Sequence, residues 1–194
     1  MCDKLRSLQA LKGQNHEDTA LNIFLATNRF EAPIDIEGIL MTYGIPISSK
    51  DFSESEAKLL KEGIPEKIQG QVHVEGDNID IYYNPNNSLE IGTKEERKRF
   101  TLAHELAHCI LHADLVMAEN GYIDYYRIDG VDNAQEKEAN ALAGSILMPK
   151  DVISELYEAC RKEEKSTLET IESLSAFFDV SKRVVKARID YLNL

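Results

Sequence analysis

The stretch that decides the fold reads Arg99-Phe100-Thr101-Leu102-Ala103-His104-Glu105-Leu106-Ala107-His108-Cys109-Ile110-Leu111-His112. It contains an HExxH pattern, His104 to His108, inside an otherwise apolar run. On a helix, residues four apart lie one turn apart on the same face. Two imidazoles so placed can grip one divalent cation, and Glu105, beside the first of them, can reach a water held there. Zinc brings the pKa of such a water toward about 7, where a carboxylate base suffices to deprotonate it. Two histidines and a glutamate in a half-buried helix need partners, because burying them unpaired is costly.

A catalytic zinc site commonly has three protein ligands and one open position. The extended motif HExxHxxGxxH is absent: its glycine position holds Leu111 and its last histidine position Asp114. Without that glycine the helix cannot turn sharply to return a third histidine. His112 lies one turn beyond His108 and climbs away from the metal, which suits a supporting or surface position. The remaining route is a glutamate from a second helix, in Glu136-Lys137-Glu138-Ala139-Asn140. With about 100° per residue, Glu136 lies roughly 50° from the centre of the apolar face formed by Ala139, Leu142, Ala143, Ile146 and Leu147, and Glu138 roughly 110°. The inward direction favours Glu136 as ligand. Asn140, one turn on, can hydrogen-bond a ligating imidazole.

Working outward, Thr93-Lys94-Glu95-Glu96 is a capping box that opens the HExxH helix, which is expected to end near His112. A second long helix is expected over 133–147, and Pro149 marks the start of a third, to about Arg161. Ser166 caps a helix to Phe178, and Ser181 one to about Leu192. Before the motif, Gln69–Glu75 and Ile79–Tyr83 alternate like strands around Gly76-Asp77-Asn78. Asn84-Pro85 ends the second strand. The edge of a sheet and its interior are both open to Ile79–Tyr83. Asp35 caps a short helix, Ile36–Tyr43, stopped by Gly44, and Ile45-Pro46-Ile47 begins a strand. A helix is expected around Asp18–Asn28, and 51–67 read as a short helix or loop. The class is therefore α+β, with a small antiparallel sheet followed by helices. The 194 residues read as one domain: 1–68 largely helical, 69–150 a sheet and metal-binding core, and 151–194 a helical hairpin.

Charge narrows the function. There are 22 Lys+Arg against 34 Asp+Glu, a formal charge of −12. Such a surface repels phosphate backbones and anionic lipid, so direct nucleic-acid binding and membrane docking are not expected. Three scattered cysteines, Cys2, Cys109 and Cys160, suit thiols in a reducing compartment rather than a disulfide framework. The start of the chain shows no apolar run after its charges, and a cytoplasmic location is expected.

The block from Arg99 to His108, then Glu136-Lys137-Glu138-Ala139-Asn140-Ala141-Leu142-Ala143 and Leu147-Met148-Pro149, resembles the ImmA/IrrE family of metallo-endopeptidases. So do Ile79–Tyr83 with Asn84-Pro85-Asn86, and the tail from Leu174 to Leu192. The resemblance covers roughly 35–194. It implies a zincin-like fold, a small sheet packed on the HExxH helix with the glutamate helix behind. It implies zinc held by His104, His108 and Glu136, with Glu105 as general base; His and carboxylate ligands suit manganese as well. It further implies a protease of phages and mobile elements that cuts helix-turn-helix repressors of the Xre type and so relieves repression. A non-catalytic anti-repressor or a toxin–antitoxin component, holding its metal structurally, is the competing reading. Oligomeric state is open.

Three further features have two readings each. Lys182, Arg183, Lys186 and Arg188 give the last helix a basic, DNA-reading flavour, but packing onto the catalytic domain is favoured. Tyr122, Tyr125, Tyr126 and Arg127, read as a loop rimming the cleft, and His73 are candidate oxyanion donors; plain packing serves them equally. Cys109 should point about 100° away from His108, as a small core residue.

Overall fold

The computed structural model describes residues 3–61, 68–86, 92–116, 124–128 and 134–194. Helices Asp3–Gln9 (α1), His16–Thr27 (α2) and Ile36–Thr42 (α3) come first, then strand Ile47–Ser49 (β1) and helix Ser53–Lys61 (α4). Strands Ile68–Glu75 (β2) and Asn78–Tyr83 (β3) lead into helix Lys94–Leu111 (α5) and the single turn Ala113–Val116 (α6). Strand Asp124–Ile128 (β4) precedes helices Ala134–Leu147 (α7), Lys150–Lys162 (α8), Thr167–Phe178 (α9) and Lys182–Leu192 (α10).

Local chemistry explains most of these boundaries. Asn15 accepts from the Asp18 amide and Asp35 from the Gly38 amide, starting α2 and α3. Thr93 with Glu96, and Ser166 with Glu169, form full capping boxes at α5 and α9. Ser181 stands at the N-cap of α10 without a side-chain cap bond. α2 begins two residues before the expected Asp18 because Asn15 is the stronger local cap. α1 has no such signal, and is held by Leu5 and Leu8, both fully buried.

The four-stranded sheet has the order β1-β3-β2-β4. β2 and β3 form an antiparallel hairpin through Gly76, whose φ of 60° needs no Cβ. β2 also pairs antiparallel with β4, with a register shift between Ile68 and Gly70. β1 runs parallel to β3, Ile47 opposite Ile81, so the sheet is mixed at that side. Ile79–Tyr83 is thus an interior strand with partners on both sides. The segment 124–128, expected as loop, is the strand β4. Its run Asp124-Tyr125-Tyr126-Arg127-Ile128 is too short for an alternation to be read, and it becomes a strand through pairing with β2. The side chains of Tyr122, Tyr125, Tyr126 and Arg127 lie outside the described residues.

Val72, Val74, Ile79 and Ile81 from the sheet share one core with Leu102, Ala103, Leu106 and Ile110 of α5 and Ala139, Leu142, Ala143 and Ile146 of α7. Every residue of α5 from Thr101 to Ile110 is buried, as suits a helix covered on all sides. Cys109 is one of these core residues. No helix of the described residues is long and apolar enough to cross a membrane.

The last helix is locked onto α2 and α7. Arg188, 3% exposed, donates to both carboxylate oxygens of Glu17 at 2.7 Å, to Ser145 Oγ at 2.9 Å and to the Met148 carbonyl at 3.1 Å. Lys182 pairs with Glu172. Arg188 is therefore an internal clamp and has no place in a DNA-reading face.

Candidate metal centre

α5 lies between the sheet and α7, and its successive side chains serve different neighbours. His104 and His108 turn toward α7. Glu105, about 100° round the helix, turns toward β2, and all three are fully buried. α7 presents Glu136 from its first turn, 7% exposed. The Nε2 atoms of His104 and His108 stand 2.9 Å apart. Glu136 places Oε2 3.1 Å from His104 Nε2 and Oε1 3.2 Å from His108 Nε2. Among the described residues, His104, His108 and Glu136 are the cluster whose donor atoms, one from each side chain, fall within 4.8 Å of one another.

This donor set fits a zinc-like cation. A tetrahedral site with bonds of about 2.0–2.1 Å sets neighbouring ligand atoms roughly 3.3 Å apart, and the three contacts are within a few tenths of that. Two imidazoles and one carboxylate leave a fourth direction for substrate or water. Burial works against ionisation of Glu136, but the hydrogen bonds and charge of His104 and His108 prevail and hold its carboxyl well below the ordinary range. The site thus carries a carboxylate at any physiological pH.

Each imidazole is held from behind. Asn140 Oδ1 lies 3.0 Å from His104 Nδ1, which makes Nδ1 a donor and turns Nε2 to the side of Glu136, where a bound cation would take its lone pair. His108 Nδ1 lies 3.1 Å from His112 Nδ1, and His112 Nε2 lies 2.9 Å from Glu138 Oε2. His112 is only 7% exposed. The two glutamates of α7 therefore serve different histidines: Glu136 faces the pair of the motif, Glu138 faces His112. The hydrogen bond from His112 holds the Glu138 carboxyl below its ordinary range.

One contributor escaped the motif reading. Gly70 of β2 sits against Glu105: a Cβ there would come within 2.6 Å of Glu105 Oε1 and 2.5 Å of Thr101 Cγ2. The signal for it was an isolated glycine in a strand, which marks a close approach of another group. His73, three residues on, projects from the face of β2 opposite Gly70 and Val72, and its ring neighbours Tyr82. The structure does not bring it to the histidine pair.

An HExxH helix between a sheet and a glutamate-bearing helix defines a metalloprotease class. The comparisons place the chain within it: residues 65–190 match the family model described as the IrrE N-terminal-like domain, a peptidase family. The chain belongs to that family. It is 40% identical over 70 residues to the radiation response metalloprotease IrrE of Deinococcus radiodurans, covering 36% of this chain and 21% of the relative. It is 36% identical over 63 residues to the protein of the same name from Deinococcus deserti, covering 32% of this chain and 22% of that relative. The matched part is thus only about a fifth of either relative's length.

Proposed function

We propose that this protein is a zinc-dependent endopeptidase in which His104, His108 and Glu136 hold the metal and Glu105 is the general base. The observation that carries the reading is the convergence of three buried donor atoms within 4.8 Å, next to a buried glutamate. When bound, the cation supplies Lewis acidity, polarising the scissile carbonyl and acidifying a water. Glu105 takes the proton of the attacking water onto a carboxylate oxygen and passes it to the departing amine. Asn140 keeps His104 in the tautomer that offers Nε2. Gly70 lets β2 close over Glu105 and keeps bulk water from its carboxylate.

The substrate we assign is a helix-turn-helix repressor of the Xre type, cut in the cytoplasm to relieve repression of a mobile element. The resemblance of the motif block supports it, and so does charge. A chain of formal charge −12 attracts the basic face that such a repressor turns to DNA.

The test is Glu105→Gln, with metal analysis and a cleavage assay on purified Xre-type helix-turn-helix repressors. The variant is expected to keep one zinc and lose cleavage. Cleavage by Glu105→Gln would end the general-base assignment. Relief of repression by the wild type with the repressor intact would favour the anti-repressor reading, and stoichiometric manganese in place of zinc would correct the cation.

A further inference from the structure

We infer that His112 and Glu138 form a directional hydrogen-bond relay that fixes the tautomer of His108 and so aims its Nε2 lone pair at the metal. This rests on the ligand reading above. His104, His108 and His112, the last at the C-cap of α5, are spaced four and four, so their rings follow one another along one face, edge-on and tilted. The ring centroids of His108 and His112 lie 5.2 Å apart. Proton counting then orders the chain of contacts. An ionised Glu138 can only accept, so His112 Nε2 donates to it across 2.9 Å. A neutral imidazole has one N–H, so His112 Nδ1 is left as an acceptor. Across the 3.1 Å contact between the two Nδ1 atoms, His108 must therefore be the donor. With a cation bound, its Nε2 then supplies the lone pair, and that atom stands 3.2 Å from Glu136 Oε1 and 2.9 Å from His104 Nε2.

The two histidines of the motif are thus set by different devices. An amide oxygen orients His104, and an imidazole backed by a carboxylate orients His108. The second device costs the helix a buried histidine, which is tolerated because both ring nitrogens are satisfied. Neither His112 nor Glu138 touches the site where the donor atoms converge, so both are positioning residues. Glu138, with its side chain 58% exposed, is the solvent end of the relay.

Two measurements test this. Long-range proton–nitrogen NMR of the zinc-loaded wild type, at about pH 8 where an ordinary imidazole is neutral, is expected to show His112 protonated on Nε2 alone, facing Glu138, and His108 on Nδ1. Zinc affinity is then measured by chelator competition. His112→Phe fills the space without an acceptor and is expected to weaken zinc binding by about 10–100-fold. His112→Asn returns an oxygen to the Nδ1 position and is expected to stay within roughly threefold of wild type. His112 found protonated on Nδ1 in the zinc-loaded protein would overturn the relay, and needs no variant to fold. So would His112→Phe binding zinc as tightly as wild type, or His112→Asn as weakly as His112→Phe. A wild type that takes up no zinc would sink the ligand reading and the relay with it, whereas a zinc-loaded protein with its His112 proton on Nδ1 would overturn the relay alone.

Discussion

Replacing Gly70 by alanine separates the general base from the metal. The added Cβ would meet Thr101 Cγ2 at 2.5 Å, Glu105 Oε1 at 2.6 Å and the Tyr82 carbonyl oxygen at 3.1 Å, whereas ordinary contact begins near 3.4 Å. Thr101 and Glu105 are 3% and 0% exposed, so neither can swing out into bulk solvent. β2 cannot withdraw either, since it is laced to β3 on one side and β4 on the other. Overpacking of this kind costs about 1–3 kcal/mol. For a chain of this length that is a fall in Tm of about 2–12 °C. A carboxylate displaced by nearly 1 Å costs catalysis about 100-fold, or about 2.7 kcal/mol of barrier. His104, His108 and Glu136 are not among the atoms met, so zinc content should be unchanged. The assays are kcat/KM on the repressor substrate, metal stoichiometry and a thermal melt. Thr101→Ser in the Gly70→Ala background removes the Cγ2 contact and should recover stability more than activity. Wild-type cleavage by Gly70→Ala, or loss of zinc in step with activity, would refute the placement of Glu105 against β2.

Other predictions are briefer. Arg188→Met takes the guanidinium from Glu17 and from the Met148 carbonyl and leaves Glu17 with Ser145 Oγ as donor; breaking a buried pair costs about 3–5 kcal/mol, reduced to about 2–4 kcal/mol because the Glu17 side chain is 25% exposed, and urea unfolding measures it. Burial raises the Glu17 pKa, but hydrogen bonding and charge from Arg188 outweigh it and hold it below its ordinary 4.5. The pair therefore contributes fully above about pH 4.5 and is lost as the pH falls through the lower folded value. The acid limb of the stability curve should flatten in Glu17→Gln, as followed by circular dichroism. Glu136→Ala should lower zinc stoichiometry in the purified protein, whereas Glu138→Ala should bind a full equivalent when zinc is in excess.

What could be read from the residues, and what could not, follows the range of the forces involved. The α5 boundaries are local, because Thr93 and Glu96 satisfy each other's backbone groups within one turn. The choice between Glu136 and Glu138 is nearly local too: it needs only the apolar stripe of α7, and the structure sets Glu136 beside both imidazoles and leaves Glu138 largely in solvent. β4 is the opposite case, since five residues carry too little alternation and their extended form comes from a partner strand some fifty residues earlier. β1 likewise joins the sheet in parallel through β3, a pairing that no turn announces. His112 shows the limit most sharply. Helix arithmetic alone carries it past the His104–His108 pair, and its ring nitrogens face His108 Nδ1 and Glu138 Oε2. Its bearing on the site comes through His108 on one side and Glu138 on the other, and the second of these is reached only because α7 packs against α5. A spacing rule finds atoms that converge on a cation; it does not find the side chain that decides which nitrogen of a ligand carries the proton. That decision is made across a packed interface between two helices, so it is there, rather than in the motif, that variants of this protein should alter metal affinity without altering the ligands.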